Sequence, residues 1–358
     1  MRILCLCKRR PQQRDLLTRP YGRFFYLPKY LAEQGHEVYL LLLSYQNETA
    51  EKKDFDGIHC YSESIFPFGV KTYIQRAAMI IAEKKPDWIF GFSDTWYGIL
   101  AQWLGARYAI RSLIDAYDNY ESYIPWLKPL HWRWRMALRR ATVVTAAGEN
   151  LADYLRGFRD DQIVHVLPMS ADPLFIPMDK AYCRQQLGLQ RDVPLLGYCG
   201  ALSSNRGIHT LFHAYSELKQ EIPQLELILS GRLEKNLRLP ANIHVLGYVP
   251  DQHMPLLINS LDTLGVLNLP SAFGNFSYPV KLYEAMRCNV PVVVSRTPAS
   301  AEILRQHPEF LVTPGNIQQF AAKAKWALGL RRIAYTPQPD WQHNGELLVA
   351  ILLKYRHH

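Results

Sequence analysis

The chain of 358 residues is 48% apolar and 20% charged, enough to bury a large core and to form two domains of common size. Its longest apolar stretches, such as "VYLLLLS" and "LLVAILL", fall far short of the ~20 residues that cross a bilayer, which excludes a membrane-spanning protein. A formal net charge of +9 asks for a partner of negative charge, whether nucleic acid, an anionic membrane surface or a phosphorylated small molecule.

The opening "MRILCLCKRR" sets a short apolar run before its basic residues, the reverse of a secretory signal, and reads as a first strand. There follow "YGRFFYLPKYLAEQG", "EVYLLLL", "TYIQRAAMIIAEKK", "DWIFGFS", "GILAQWLGA" and "IRSLID", in which short apolar runs alternate with amphipathic stretches. Such alternation predicts a parallel sheet covered by helices. The second half repeats it in "PLLGYCG", "HTLFHAYSELKQ", "LELILSG", "IHVLGYV", "HMPLLINSL", "TLGVLNL", "VKLYEAMRC", "PVVVS" and "IQQFAAKAKWALG". The expected fold class is therefore α/β, with two Rossmann-like, doubly wound domains. The proline-rich "LPMSADPLFIPM", residues 167 to 178, lacks periodicity and suits the connector. Boundaries are expected at 1–170, 171–335 and 336–358, the last a segment that turns helical after "YTPQPD". The six cysteines are scattered and form neither a C-x-x-C pair nor a set with zinc spacing. They read as reduced thiols in a cytosolic protein.

Sheets of this kind bind ligands outside the carboxyl ends of their strands, where helix N-termini offer unpaired N–H groups to anions. In "GYCGALSSNRGIHTL" the strand closes on Gly197 and Gly200, the loop carries Ser203 and Ser204, and Arg206 with Gly207 opens the next helix. That pattern fits a phosphate cradle or an ordinary capped turn. In "SYPVKLYEAMRCNVPVVVS" Pro279 suits a first helical turn, which would leave the N–H groups of Val280, Lys281 and Leu282 facing the ligand beside a cation. Glu284, one turn further in, would accept from ribose or sugar hydroxyls. The alternative is a Lys281–Glu284 pair on a solvated helix face, worth ~0.3 kcal/mol.

The C-terminal half resembles the retaining GT-B glycosyltransferases of family four. The likeness runs in order through "LLGYCGALSSNRGIHTLFHAYSEL", "LELILSG", "ANIHVLGYVPDQHMPLLINSLDTLGVLNLPS", "YPVKLYEAMRCNVPVVVS" and "EFLVTPGNIQQFAAKAKWAL". "YGRFFYLPKYLAEQGHEVYLL", "ATVVTAAGENLADYL" and "VHVLPMSADPLFIP" carry it more loosely in the first half. The resemblance implies two domains facing a cleft, the first for the acceptor and the second for a nucleotide-sugar donor, with "DWQHNGELL" opening a helix that crosses back to the first domain. It implies that Glu284 holds the donor's ribose and that the backbone from Tyr278 and Pro279 to Leu282 faces the diphosphate. Arg206 takes the place of a phosphate-binding lysine, Tyr248 and Val249 lie at the base, and Gly22, like Gly200, lies at a phosphate-facing loop. The chain departs from the family pattern at Phe276, where the first signature acid would stand, at Ala201, in place of a phosphate-binding arginine, and in lacking a histidine in "RSLIDAYDNYESYIP". A degenerate homologue without transferase activity is therefore an alternative.

For an active enzyme, Arg206, Lys281 and the helix start at Pro279 would stabilise the departing diphosphate, each by ~3 kcal/mol. Asp118 is the carboxylate expected to steady the positive sugar. Asp115 and Glu121 of "DAYDNYES" stand nearby, and Asp94 is a second candidate. A turn or cap role for Asp118 fits the residues equally well. Retention of configuration is implied by the resemblance alone. No bound metal and no cofactor beyond the donor substrate is expected.

"KPLHWRWRMALRR", residues 128 to 140, interleaves Arg133, Arg135, Arg139 and Arg140 with Trp132 and Trp134. As a helix it would line up Leu127, Leu130, Trp134 and Leu138, either lying on an anionic leaflet or packed in the core with a solvated basic face. Lys8, Arg9, Arg10, Arg14, Arg19 and Arg23 add charge near the expected acceptor. A glycan or polyprenyl-phosphate-linked acceptor fits both patches, with cytoplasmic location and peripheral attachment to the inner face of the cell membrane. Nucleic-acid binding lacks a motif, and no nucleic-acid partner is expected. A nucleotide-sugar epimerase of related fold is the rival enzyme.

Overall fold

The computed structural model describes residues 1–235, 237–241 and 243–356. They divide into two α/β units, one made of Met1–Met169 together with the segment from Pro339 onward, the other of Ser170–Gln338.

The first unit holds strands β1 (Arg2–Lys8), β2 (Glu37–Ser44), β3 (Glu51–Phe55), β4 (Ile58–Ser64), β5 (Trp88–Gly91), β6 (Arg111–Ala116), β7 (Val143–Ala146) and β8 (His165–Val166). Among the described residues they form one sheet in the order β3-β4-β2-β1-β5-β6-β7-β8. Every pairing is parallel except β3 with β4. Residues Ile3–Cys7 and Val38–Leu43 are buried throughout, because helices cover both faces and leave no polar side to alternate with. The exposed "EKKDF" of β3 is an edge strand whose charges discourage further pairing. It turns into β4 through Asp56 and Gly57, both at positive φ (49° and 75°), as a tight hairpin requires.

Helix Trp341–Lys354, late in the chain, belongs to this unit. Trp341 stacks on Tyr26 of helix Arg23–Glu33, with ring centres 5.8 Å apart. Gly345 permits the close approach, since a Cβ there would stand 2.7 Å from that of Tyr30. Asn344 Nδ2 donates to the Pro168 carbonyl at 3.0 Å.

The second unit holds β9 (Leu195–Cys199), β10 (Glu226–Ser230), β11 (Ile243–Gly247), β12 (Thr263–Val266), β13 (Val292–Ser295) and β14 (Leu311–Val312). They lie parallel in the order β11-β10-β9-β12-β13-β14, the 3-2-1-4-5-6 succession of dinucleotide-binding sheets. Strand order reverses between β9 and β12, so the ligand crevice is expected beyond their carboxyl ends. Helix starts are set by short polar caps: Asp179, Asn316, and the Thr297–Ser300 capping box. Gly197 lies inside β9 and belongs to no cradle. A Cβ there would stand 2.1 Å from Leu261 Cδ1, so its role is close packing of strand against core. All six cysteines are buried free thiols. Among the described residues no helix is long and apolar enough to cross a membrane.

Candidate active site

The loop after β9 is laced to the loop after β10. Gly200 (φ 153°) donates its amide to the Ser230 carbonyl at 2.8 Å. Gly231 (φ 129°) passes so near that a Cβ on it would lie 1.9 Å from the Gly200 carbonyl oxygen. The Gly200 N–H is thus spent on the neighbouring strand end, contrary to the expected phosphate cradle. Ser203 Oγ donates to Asn205 Oδ1 at 2.6 Å, and Ser204 donates its amide and hydroxyl to Glu234 Oε2 at 2.8 and 3.2 Å. These bonds fix the short turn Ser204–Arg206, which Gly207 closes at φ 79° against Leu269.

That turn delivers Arg206 to the strand-order reversal. Its Nη1 donates to Asn268 Oδ1 at 2.9 Å, and its guanidinium stands 4.5 Å from the Phe273 ring centre. Asn268 lies just past β12, so Arg206 bridges the two strand ends flanking the reversal. Neither partner was singled out from sequence. The available signal was a lone asparagine within the apolar run "TLGVLNL".

Helix Val280–Arg287 starts one residue later than expected. Pro279, at ψ 114°, is its cap, not its first turn. The Leu282 N–H is also engaged, donating to the Pro279 carbonyl at 2.9 Å, because the cap's own carbonyl folds under the first turn. The first-turn amides of Val280 and Lys281 have no intrahelical acceptor. Tyr278 is buried and donates its hydroxyl to Glu302 Oε2 at 2.7 Å.

Lys281 Nζ donates to Glu284 Oε2 at 2.5 Å and lies 5.7 Å from the centre of the Phe175 ring. Glu284 is 0% exposed, which removes the solvated-face reading of this pair. Burial pushes the Cys199 thiol up to about 12, with Lys281 lowering it and Glu284 raising it further. Helix Val280–Arg287 follows β12, the neighbour of β9 across the reversal, so it starts from the same edge of the sheet as the Arg206 turn. Ala201 offers no charge here, and its carbonyl accepts from the Tyr198 hydroxyl at 2.9 Å. Phe276 ends the short turn Gly274–Phe276 just ahead of the helix. Tyr248 and Val249 follow edge strand β11, with Tyr248 exposed and its hydroxyl 3.4 Å from Asp251 Oδ1.

In the first unit, Gly22 caps helix Arg23–Glu33 at φ 68° and ψ −163°, a conformation open to glycine alone, with open space where a Cβ would project. Arg23 grips Asp115 through Nε–Oδ2 (2.7 Å) and Nη2–Oδ1 (2.6 Å), and its Nη1 donates to the Leu167 and Pro168 carbonyls. Thr145 Oγ1 donates to the same carboxylate at 2.6 Å. Asp115 and Arg23 are thus a buried structural pair, removed from both the catalytic and the basic-surface expectations. Arg9 is likewise buried, ion-paired with Asp15, Glu48 and Glu51, and Arg10 pairs with Asp15 and Glu48. The acidic neighbours brought in by β3 and its approach account for that correction.

Asp118 is buried and accepts from the Tyr123 hydroxyl at 2.7 Å. It caps no helix: Asn119 holds the cap position of turn Tyr120–Ser122 and makes no side-chain cap bond. Burial, then the Asp118 charge, raises the Tyr123 phenol and keeps it a donor. Asp94 caps helix Thr95–Tyr108, accepting from the Trp96 N–H at 2.9 Å, and burial raises its carboxyl.

Helix Lys128–Arg140 buries Trp134 and Leu138 in the core, so it cannot lay that stripe on a bilayer. Arg135 is bound bidentately to buried Glu121 (2.8 and 2.7 Å), which takes both from their expected places. Arg139 pairs with Asp160 at 2.7 Å. Trp132, Arg133 and Arg140 are exposed. Among the described residues no three His, Cys, Asp or Glu side chains gather as a metal-ligand set.

Two Rossmann-like α/β units are the architecture of the GT-B glycosyltransferases. Sequence profiles agree: "Glycosyl transferases group 1" matches residues 179–336 and "Glycosyltransferase Family 4" matches 24–173. The chain belongs to the group 1 glycosyltransferase family. It is 33% identical over 119 residues to the O-antigen chain mannosyltransferase B of Escherichia coli, a match spanning 30% of this chain and 30% of that protein. Its fold is similar to that of Anabaena Alr3699/HepE in complex with UDP (TM-score 0.70, 16% identity, 99% of this chain and 97% of that one). It is also similar to sucrose-phosphate synthase from Thermosynechococcus elongatus (TM-score 0.72, 17% identity, 99% and 96% covered).

Proposed function

We propose that the chain transfers a hexosyl group from a nucleotide-diphosphate sugar to a glycan or polyprenyl-phosphate-linked acceptor, with retention of configuration and without a metal. The observation that carries this reading is Arg206, aimed across the strand-order reversal by Asn268 and Phe273, with the Lys281–Glu284 pair on the helix that follows β12. As the bond from the sugar's anomeric carbon to the diphosphate breaks, negative charge gathers on the leaving phosphate oxygen. Arg206, Lys281 and the amides of Val280 and Lys281 stabilise it without reorganising, which is the main electrostatic lever for such a step. The acceptor hydroxyl attacks on the face the diphosphate leaves and passes its proton to that phosphate. Asp118, held by Tyr123, is the carboxylate assigned to steadying the positive sugar. Glu284 is the residue assigned to the ribose hydroxyls, with Gly22, Ser203, Tyr248, Val249 and Tyr278 assigned to the surrounding donor site. Related proteins support the donor class: the HepE structure holds UDP. The mannosyltransferase likeness and the exposed Trp132, Arg133 and Arg140 support an envelope glycan made at the cytoplasmic face of a membrane.

Thermal stabilisation by UDP, GDP, ADP, TDP and CMP tests the reading, repeated on Glu284→Ala. Ligand at a hundredfold excess over its dissociation constant adds ~2.7 kcal/mol. One nucleotide is expected to raise the melting temperature of the parent protein and not of Glu284→Ala. Silence from all five would instead mark a homologue that has lost its donor site, with Phe276 and Ala201 as the traces of that loss.

A further inference from the structure

The segment between the turn carrying Asp118 and helix Lys128–Arg140 is exposed without interruption from Tyr123 to Pro129. Its apolar side chains are large and open: Trp126 is 76% exposed, Leu127 41%, Tyr123 40% and Ile124 38%, and Trp132, one helical turn on, is 63% exposed. A soluble surface rarely gathers so many large apolar groups without a partner for them.

The segment is not slack. The Ile124 carbonyl lies 2.9 Å from Nε2 of the buried His131 and accepts from the Leu127 N–H at 3.1 Å, while the Lys128 N–H donates to the Trp126 carbonyl at 3.0 Å. Pro125 and Pro129 stiffen both sides. The backbone is thus pinned from beneath with the side chains of Ile124, Trp126 and Leu127 turned outward.

The charge around it is of one sign. No Asp or Glu occurs from Tyr123 to Ala141, where Lys128, Arg133, Arg135, Arg139 and Arg140 all fall. Arg135 and Arg139 already have acidic partners, and Lys128, Arg133 and Arg140 have no ion pair among the described residues. An apolar tip with uncompensated cations beside it matches a bilayer interface, where aromatic and aliphatic groups enter the headgroup boundary and Lys/Arg meet anionic lipids.

We propose that Ile124–Leu127 with Trp132 is a wedge that seats the first unit in an anionic bilayer, Lys128, Arg133 and Arg140 holding the lipid phosphates. This rests on the transferase reading and deepens it by naming the surface on which the acceptor is met. It also takes the place of the interfacial reading of helix Lys128–Arg140, because all the inserting residues but Trp132 precede the helix and the stripe residues Trp134 and Leu138 are core. Tyr123 joins the wedge to Asp118 through its hydroxyl, so the seated end lies one hydrogen bond from the candidate catalytic carboxylate.

Flotation of the full chain with vesicles tests it, using phosphatidylcholine alone or mixed equally with phosphatidylglycerol. The parent protein is expected to float with the mixed vesicles only. Trp126→Ser with Leu127→Ser should bind them about tenfold less or weaker, since two large apolar side chains no longer leave water. Arg133→Gln with Arg140→Gln should lose the preference for phosphatidylglycerol. A blue shift of tryptophan emission on mixed vesicles should shrink in Trp126→Phe, a change that leaves the fold intact. Equal flotation of the Ser double variant, no flotation of the parent protein, or a dimer that the Ser variant turns into monomer would overturn the wedge. Nucleotide stabilisation measured on the same preparations reports separately on the transferase reading, because Trp126 and Leu127 take no part in the donor site.

Discussion

Replacing Arg206 by alanine separates a catalytic cation from a structural one. Its removal deletes one hydrogen bond to Asn268 and one contact with the Phe273 ring. A net hydrogen bond contributes about 1 kcal/mol and a partly exposed cation–π contact about 0.5–1 kcal/mol. The stability cost is thus about 1.5–2 kcal/mol, which lowers the melting temperature of a unit this size by roughly 3–8 °C. The loss in turnover is expected to be larger. A preorganised cation on a departing phosphate is worth about 3 kcal/mol, or about a hundredfold in kcat. Asn268→Ala keeps the cation but frees its aim, and should fall between the two. Initial rates of nucleotide release with acceptor present, beside differential scanning calorimetry, check both numbers. A threefold or smaller drop in kcat with the full stability loss would refute the assignment, since Arg206 would then serve only to tie two strand ends together.

Arg23→Met should cost about 3–5 kcal/mol, because it leaves the Asp115 carboxylate buried with the Thr145 hydroxyl as its remaining side-chain partner. Urea unfolding monitors it, Arg23→Met with Asp115→Leu should recover part of the loss, and a cost under about 1 kcal/mol would contradict the buried pair. Asp94→Asn bears on pH. Burial raises the Asp94 carboxyl above its ordinary 3.8, against weaker lowering by the Trp96 N–H and Lys8. The folded state therefore keeps a proton that the unfolded state has released, so stability falls as pH climbs from 3.8 through the raised folded value, then levels. Denaturation at pH 4 and pH 7 should show the parent protein losing ground to Asp94→Asn over that interval, and a constant gap would deny the shift.

Strands that are apolar throughout, such as β1, β2 and β13, were legible because burial on both faces leaves a continuous apolar run. β3 was not: "EKKDF" has no apolar signal, and its pairing is decided by the Asp56–Gly57 turn and by β4. At the site, Lys281 and Glu284 could be named as a pair, but spacing alone does not say whether the pair faces water. Packing of the helix against the sheet is what takes Glu284 out of bulk water. "DAYDNYES" presented three acids of equal standing in one dimension. Other residues separate them, since Arg23 takes Asp115, Arg135 takes Glu121, and Asp118 accepts from the Tyr123 phenol. Helix Lys128–Arg140 stayed open between two readings for the same reason, because an apolar stripe looks alike whether it meets lipid or its own core; burial of Trp134 and Leu138 decides for the core.

The helix Trp341–Lys354 has a consequence for how the protein is made. The first unit is interrupted in sequence by the whole of the second, and the face of helix Arg23–Glu33 around Tyr26 and Tyr30 stays uncovered until residues 341–354 leave the ribosome. Domains tend to fold in order of synthesis, yet here the later unit can close first while the earlier one waits with an open seam. A nascent chain halted before Trp341 would therefore present a chaperone-binding surface near its N-terminus, however complete its downstream sheet.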